Sequence, residues 1–237
     1  VVGDFVTKDA ELEFSGVING ALATGDKVQI RIDGGPWQEA TVNGTNWSYN
    51  NTANKLADGT YKVETRITNT AGTSTAPLSK DIVIDTELSP AASIQLSGYE
   101  DNGYLDNDFY SNDVNFKLSV ETEAGATVVY QTLDKDGKWV DLTTITADAS
   151  GNSSFDVDWS NQKIDDEVRK FRAQVTDQAG NTETVYVGGQ DEATAQKYRV
   201  DNVTEDAVLK TCDNTLNPDG TMKLNNPEFT VGKNGIS

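Results

Sequence analysis

The residues in this chain best suited to chemistry are oxygen ligands. In "EDNGYLDNDFYSND" (100–113), Asp101, Asn102, Asp106, Asp108, Asn112 and Asp113 crowd one turning, Gly-containing stretch. Hard cations such as Ca2+ gather six to eight oxygens, and Asp and Asn on such a loop supply them through side chains and carbonyls. The spacing is not that of an EF-hand. A solvated acidic loop held by Asx-turns is the competing reading, since Asp and Asn also bond their own backbone. A second set of oxygens lies in "VTDQAGNTET" (175–184), a hairpin turn first, whose Asp177 and Asn181 could join Asp85 and Glu87 at a junction. In the tail, Asp213, Asn214, Asn217 and Asp219 resemble the first loop, although "NPDG" (217–220) also makes a type I turn with no ligand.

Composition removes other chemistries. Acidic residues outnumber basic ones 38 to 19, a balance unsuited to phosphate backbones and so to a nucleic-acid partner. It suits a chain kept soluble by self-repulsion, or carboxylates partly neutralised by bound cations. The absence of His excludes Ser-His-Asp and Cys-His catalysis and His-ligated metals. The lone Cys212 excludes an internal disulfide and a Cys-based zinc site. Carboxylate pairs such as Asp165-Asp166 could be imagined as a glycosidase acid and base, but chance pairs are expected here, and the chain reads as a non-enzyme. Trp37, Trp47, Trp139 and Trp159 could stack on sugar rings; core packing is the commoner role. No apolar run approaches the roughly 18 residues of a membrane span and no signal peptide is recognisable, so the chain reads as an internal slice of something larger.

Short alternating segments broken by Gly/Asn/Asp turns must position these residues, which predicts an antiparallel β-sandwich. They recur as a repeat. "GDKVQIRIDGGPW" (25–37) matches "GATVVYQTLDKDGKW" (125–139), "VETRITNTAGT" (63–73) matches "FRAQVTDQAGN" (171–181), and "DIVIDTE" (81–87) matches "KYRVDNV" (197–203). "DFVTKDAEL" (4–12) stands opposite "DFYSNDVNF" (108–116). In the second unit the latter is preceded by a strand, "ASIQLSG" (92–98), for which the first unit shows no equivalent. Alternation predicts core positions at Val28, Ile30, Val63 and Ile67, and at Val128, Tyr130, Phe171 and Val175. The acidic loop should share a pole with the exit linker Asp201-Asn202, and Asp177 with Asp85 and Glu87.

"LADGTYKV" (56–63), "TDQAGNTE" (176–183), "IDTELSPAASI" (84–94) and "EDNGYLDNDFYSND" (100–113) carry a resemblance over nearly the whole chain. The chain resembles the tandem bacterial immunoglobulin-like repeats of giant RTX and biofilm-type surface adhesins. The resemblance implies an all-β fold of tandem Ig-like antiparallel sandwiches in a rod, secreted to the bacterial cell surface and stiffened at its junctions by Ca2+. Residues 1–86 would be one unit lacking its first strand, 87–202 a complete unit, and 203–237 the opening of a further repeat or a tail. The expected role is a spacer in cell adhesion or biofilm formation, with neighbouring repeats as partners. The alternative is a segment that borders or forms a sugar- or peptide-binding module. Asn69 and Thr73 stand where Asp177 and Asn181 do, so the first unit departs from the cation pattern. The second inserts "GGQDEATAQ" (188–196) into its last hairpin. An unpaired edge in the first unit could recruit the tail strand "EDAVLKT" (205–211) of a neighbouring molecule.

Overall fold

The computed structural model describes residues 5–203 apart from 104, 106 and 107, together with the backbone of 207–216 and 222–231. Every regular element among them is a strand. They are β1 (Val6–Thr7), β2 (Glu13–Val17), β3 (Lys27–Ile32), β4 (Gln38–Glu39), β5 (Thr41–Asn43), β6 (Asn46–Asn50), β7 (Gly59–Thr68) and β8 (Leu78–Ile84). A second series follows as β9 (Ser93–Ser97), β10 (Tyr110–Ser111), β11 (Asn115–Glu121), β12 (Thr127–Leu133), β13 (Trp139–Thr146), β14 (Asn152–Asp158), β15 (Glu167–Arg169), β16 (Phe171–Thr176), β17 (Thr182–Tyr186) and β18 (Tyr198–Val200). β19 (Ala207–Leu216) and β20 (Met222–Val231) close the chain as a two-stranded sheet.

The first series forms a sheet β1-β8-β7-β3-β4 and a sheet β2-β6-β5. The second forms β14-β11-β9, β13-β12-β16-β17 and β10-β18-β15. The fold is all-β. Most pairings are antiparallel, but β1 runs parallel to β8 and β10 parallel to β18. The repeat seen in the sequence reappears in these bonds. Val83 donates its N–H to the Phe5 carbonyl as Arg199 does to Phe109, and Asp85 donates to Thr7 as Asp201 does to Ser111. Phe5 and Phe109 both hold a left-handed backbone, φ 54° and 57°, uncommon for a bulky residue. The second unit splits what the first keeps whole. β7 corresponds to β15 plus β16, and β8 to β17 plus β18, with the extra residues 188–196 lying between the last two. The Lys170 ammonium, nearly buried at this break, donates to the Glu192 carbonyl inside that insertion.

The second core is continuous: Phe116, Leu118, Tyr130, Trp159, Phe171, Val175 and Val200 pack together, with Ile94 and Leu96 of β9 against them. The first divides into a cluster around Ile30, Val63 and Ile84 and another around Ile18 and Val28. Trp47 and Tyr49 touch both. Gly16 makes room for this: a Cβ there would lie 2.8 Å from the Trp47 indole nitrogen. Of the eight expected core positions, seven are buried and Ile67 is half-buried. The tryptophans divide. Trp159 is buried and Trp47 half-buried against the core, whereas Trp37 and Trp139, also half-buried, sit outside the core clusters with arginines over their rings. Arg66 sits 4.1 Å from the Trp37 centroid and Arg172 4.1 Å from that of Trp139, so each ring stacks with a guanidinium group.

Candidate metal centre

One turn recurs through the chain and decides what its first residue is free to do. At Asn69, Asp134, Asp148 and Asp177 the backbone N–H bonds the carbonyl four residues on, at Thr73, Lys138, Asn152 and Asn181. The fourth residue is a glycine at positive φ, 81° at Gly72 and 90° at Gly180, where other residues are strained. The first side chain then accepts two backbone N–H groups through one oxygen. "DQAGN" is therefore a hairpin turn, as its composition indicates, and Asp177 Oδ1 serves it, accepting from Gly180 (2.7 Å) and Asn181 (2.8 Å).

Asp177 differs from the other three in being buried. It is buried because its hairpin meets the end of β8 and the linker beyond. Asn181 donates its side-chain amide to Asp177 Oδ2 (2.8 Å) and to the Asp85 carbonyl (2.9 Å). Lys8, just after β1, donates its ammonium to the Gly180 carbonyl at 2.7 Å. Ser89 donates its N–H to Glu123, and Ala92 donates to Glu183 (2.8 Å). Carboxylate oxygens of Asp85, Glu123 and Asp177 consequently lie within 4.8 Å of one another. Two ligands on one Ca2+ at about 2.4 Å each can be no farther apart than about 4.8 Å, so the three fit one coordination sphere. All three donors are hard oxygens, as Ca2+ prefers, and the group carries a formal charge of −3, with the Lys8 ammonium at the neighbouring Gly180 carbonyl. Glu123 feels this. Burial pushes its carboxyl above the ordinary range, and the charges of Asp85 and Asp177 push the same way against the Ser89 N–H. Glu87 is exposed and outside the group. Glu123 was not singled out from the sequence, where Ala23 occupies the matching place in the first unit and no local signal marks it.

The acidic loop before β11 is tied down differently. Phe109 donates its N–H to Asp101 Oδ2 (2.9 Å), Tyr110 to Asp108 (3.1 Å), and Glu100 and Asn115 to Asp113 (2.8 and 2.9 Å). Asn102 Oδ1 accepts from the Ser111 hydroxyl at 2.7 Å. Asp113 has a twin in Asp9, which caps Glu11 just as Asp113 caps Asn115. The parallel β10–β18 pair brings this loop to the exit: the Tyr110 hydroxyl donates to Asp201 (3.2 Å). Asn202 is occupied with residues 162–164, accepting from the Ile164 N–H and donating to the Gln162 carbonyl. Among the described residues Asp101 Oδ1 is buried with no hydrogen-bond partner, a cost that a bound cation or water would remove. Among the described residues the upstream group is the cluster in which three acids converge. Asp106 and Asp219 lie outside the described residues, as does the side chain of Asp213.

Solved structures similar to this chain include a tetra-tandem repeat from the extending region of a large adhesion protein. It is 19% identical, with 95% of this chain and 60% of that one covered and a TM-score of 0.39. A 1.5-MDa bacterial ice-binding adhesin is 22% identical over 93% of this chain and 68% of its own, with a TM-score of 0.42. A Ca2+-stabilised adhesin with which an Antarctic bacterium reaches out and binds ice is 20% identical over 93% and 51%, with a TM-score of 0.40. The chain thus spans less than two thirds of the first and last of these. No curated protein matches it. Among the described residues no helix is long and apolar enough to cross a membrane. The model of the bacterial Ig-like domain matches twice in succession, over residues 2–86 and 88–190, and the chain belongs to that family as a tandem pair.

Proposed function

We propose that this chain is a calcium-stiffened spacer segment of a large adhesin on the bacterial cell surface. Its units hold a distal binding module away from the cell in adhesion or biofilm formation, and its direct partners are the neighbouring repeats of the same polypeptide. The observation that carries the reading is the convergence of Asp85, from the end of β8, with Glu123 and Asp177, from two turns of the second unit. A cation there binds both units at once. Without it, three carboxylates repel across the junction and favour its opening; with it, the same charges become ligands. The buried, unpartnered Asp101 oxygen supports a second site at the exit, built from Asp101, Asn102, Asp106, Asp108 and Asp113 with Asp201 or Asn202. Asp213 and Asp219 would repeat that loop in the tail.

Calcium titration of the chelator-treated chain, followed by thermal melting and small-angle X-ray scattering, tests this. The melting temperature should rise and the maximum dimension lengthen. A chain whose melting and scattering ignore both calcium and chelator would leave these loops as solvated acid.

A further inference from the structure

Each unit lays one arginine of its larger sheet on a tryptophan and gives it no carboxylate. Three of the five arginines end on an acid: Arg31 on Glu64, Arg169 on Glu167 and Arg199 on Asp166. Among the described residues Arg66 and Arg172 have no ion pair, although acids outnumber bases 38 to 19. Arg66 stands opposite Gln29 across β7 and β3 and donates its Nε–H to Gln29 Oε1 at 2.9 Å. Its guanidinium carbon lies 4.1 Å from the Trp37 centroid. Arg172 stands opposite Gln131 across β16 and β12, donates to its Oε1 at 2.7 Å, and lies 4.1 Å from the Trp139 centroid.

Their surroundings differ in charge. Beside Arg172 the Gln131 amide donates to Asp141 at 2.6 Å and the Trp139 indole N–H to Glu192 at 3.0 Å. Two carboxylates therefore stand near one cation. Beside Arg66 the network is neutral: Gln29 Oε1 also accepts the Thr68 hydroxyl at 2.8 Å, itself 2.8 Å from the Ser74 hydroxyl. Arg31, 4.5 Å from the same Trp37 centroid, engages both Glu64 oxygens, so Arg31, Arg66 and Glu64 together leave an excess of positive charge. Among the described residues the terminal nitrogens of Arg66 and the amide nitrogen of Gln29 have no hydrogen-bond partner. The guanidinium is thus held by an indole and a glutamine while its terminal donors stay open. Such a fork matches a carboxylate through two parallel N–H bonds, and being held in advance lowers the cost of binding.

We propose that Arg66, with Gln29 and Trp37, forms a subsite for a saccharide carrying a single carboxylate, a uronate. β3 lies between β7 and β4, and β7 between β3 and β8, so no main-chain edge beside Arg66 is open to an extended peptide. A polyanion would meet the field of a chain whose net charge is −19. One carboxylate for the guanidinium, with ring hydroxyls for the Gln29 amide, satisfies both limits.

Proton–nitrogen correlation NMR of the full chain tests this, with sodium D-glucuronate, D-glucose, sodium acetate and N-acetyl-aspartate amide titrated at constant ionic strength. Glucuronate should shift the Arg66 Nε–H and Trp37 indole signals saturably, and glucose should not. Acetate, lacking the hydroxyls, should bind about tenfold more weakly. Arg66→Gln should lose the response at the Trp37 indole. Arg66→Lys, which keeps the charge without the fork, should weaken it about tenfold. Arg172→Gln should respond as the parent does, and backbone amide spectra should show the sheet intact in each variant. A glucuronate titration with no saturable shift overturns the proposal, and so does a Trp37 response that survives Arg66→Gln. Acetate binding as tightly as glucuronate would reduce the site to a bare anion hole. Tighter binding of the aspartate amide would give it to an acidic peptide, and either outcome overturns the saccharide.

Discussion

The side-chain amide of Asn181 donates to the backbone carbonyl of Asp85 across 2.9 Å, joining the second unit's hairpin to the end of the first unit's last strand. The same amide bonds Asp177, so one side chain holds both the turn and the junction. Asn181→Ala should remove both bonds from a buried place and cost about 1–3 kcal/mol, the range for leaving a buried acceptor unsatisfied. Thermal melting should show the loss. Relaxation measurements by NMR should show the two units tumbling more independently. A variant that melts and tumbles like the parent would mean that this contact does not hold the junction.

Asp177→Asn separates charge from turn. The amide oxygen can still cap Gly180 and Asn181, while the anionic ligand disappears. In chelator the relief of like-charge repulsion with Asp85 and Glu123 is offset by the Asn181 amide bond that the new side chain cannot accept at the Oδ2 position, so the readout is the calcium-dependent increment rather than the absolute melting temperature. In calcium it should fail to gain the parent's increment, which reaches about 2.7 kcal/mol at a hundredfold excess over Kd for a cation bound only by the folded state. Isothermal titration calorimetry with CaCl2 on parent and variant checks both halves.

Acidity should act on the same group with a definite sign. The Glu123 carboxyl is raised in the folded chain by burial and by its acidic neighbours, so the folded state holds that proton more tightly than the unfolded one. Its ionisation penalty is therefore absent below the unfolded carboxylate range and complete above the folded value. Without calcium, the Glu123 contribution should weaken as pH rises through that window, and Glu123→Gln should abolish this component. Asp166 runs the other way. The Arg199 guanidinium holds its carboxyl low, so its contribution is present at neutral pH and lost on acidification through the folded value. Melting curves of parent, Glu123→Gln and Asp166→Asn across the acid range separate the two.

Phe171→Ala tests the second core. Phe171 is fully buried, contacts Phe116, Trp159 and Tyr198 ring to ring, and cannot be replaced by movement of the strands it pairs with. The loss should be about 3–5 kcal/mol by urea unfolding. Val17→Ala, at a position 74% exposed, should stay within about 0.5 kcal/mol of the parent, as surface substitutions do.

The repeat alone was enough to place matching residues. Thr7 and Ser111, or Asp85 and Asp201, align in the sequence and make the same hydrogen bonds in the fold, because strand pairing at period two leaves one register that buries the apolar face. Turn chemistry was legible for the same local reason: Asn69 and Asp177 sit before Gly at a fixed offset and cap their own turns. The rest is non-local. Glu123 stands alone in its turn, 38 residues from Asp85 and 54 from Asp177, and only the docking of hairpin and linker brings the three within 4.8 Å. Trp37 and Trp159 are the same residue type, yet one lies beneath Arg31 and Arg66 and the other in the core. Indole burial depends on which neighbours arrive across the sheet. Those neighbours are chosen by tertiary packing, in which many weak long-range contacts outweigh any one local preference.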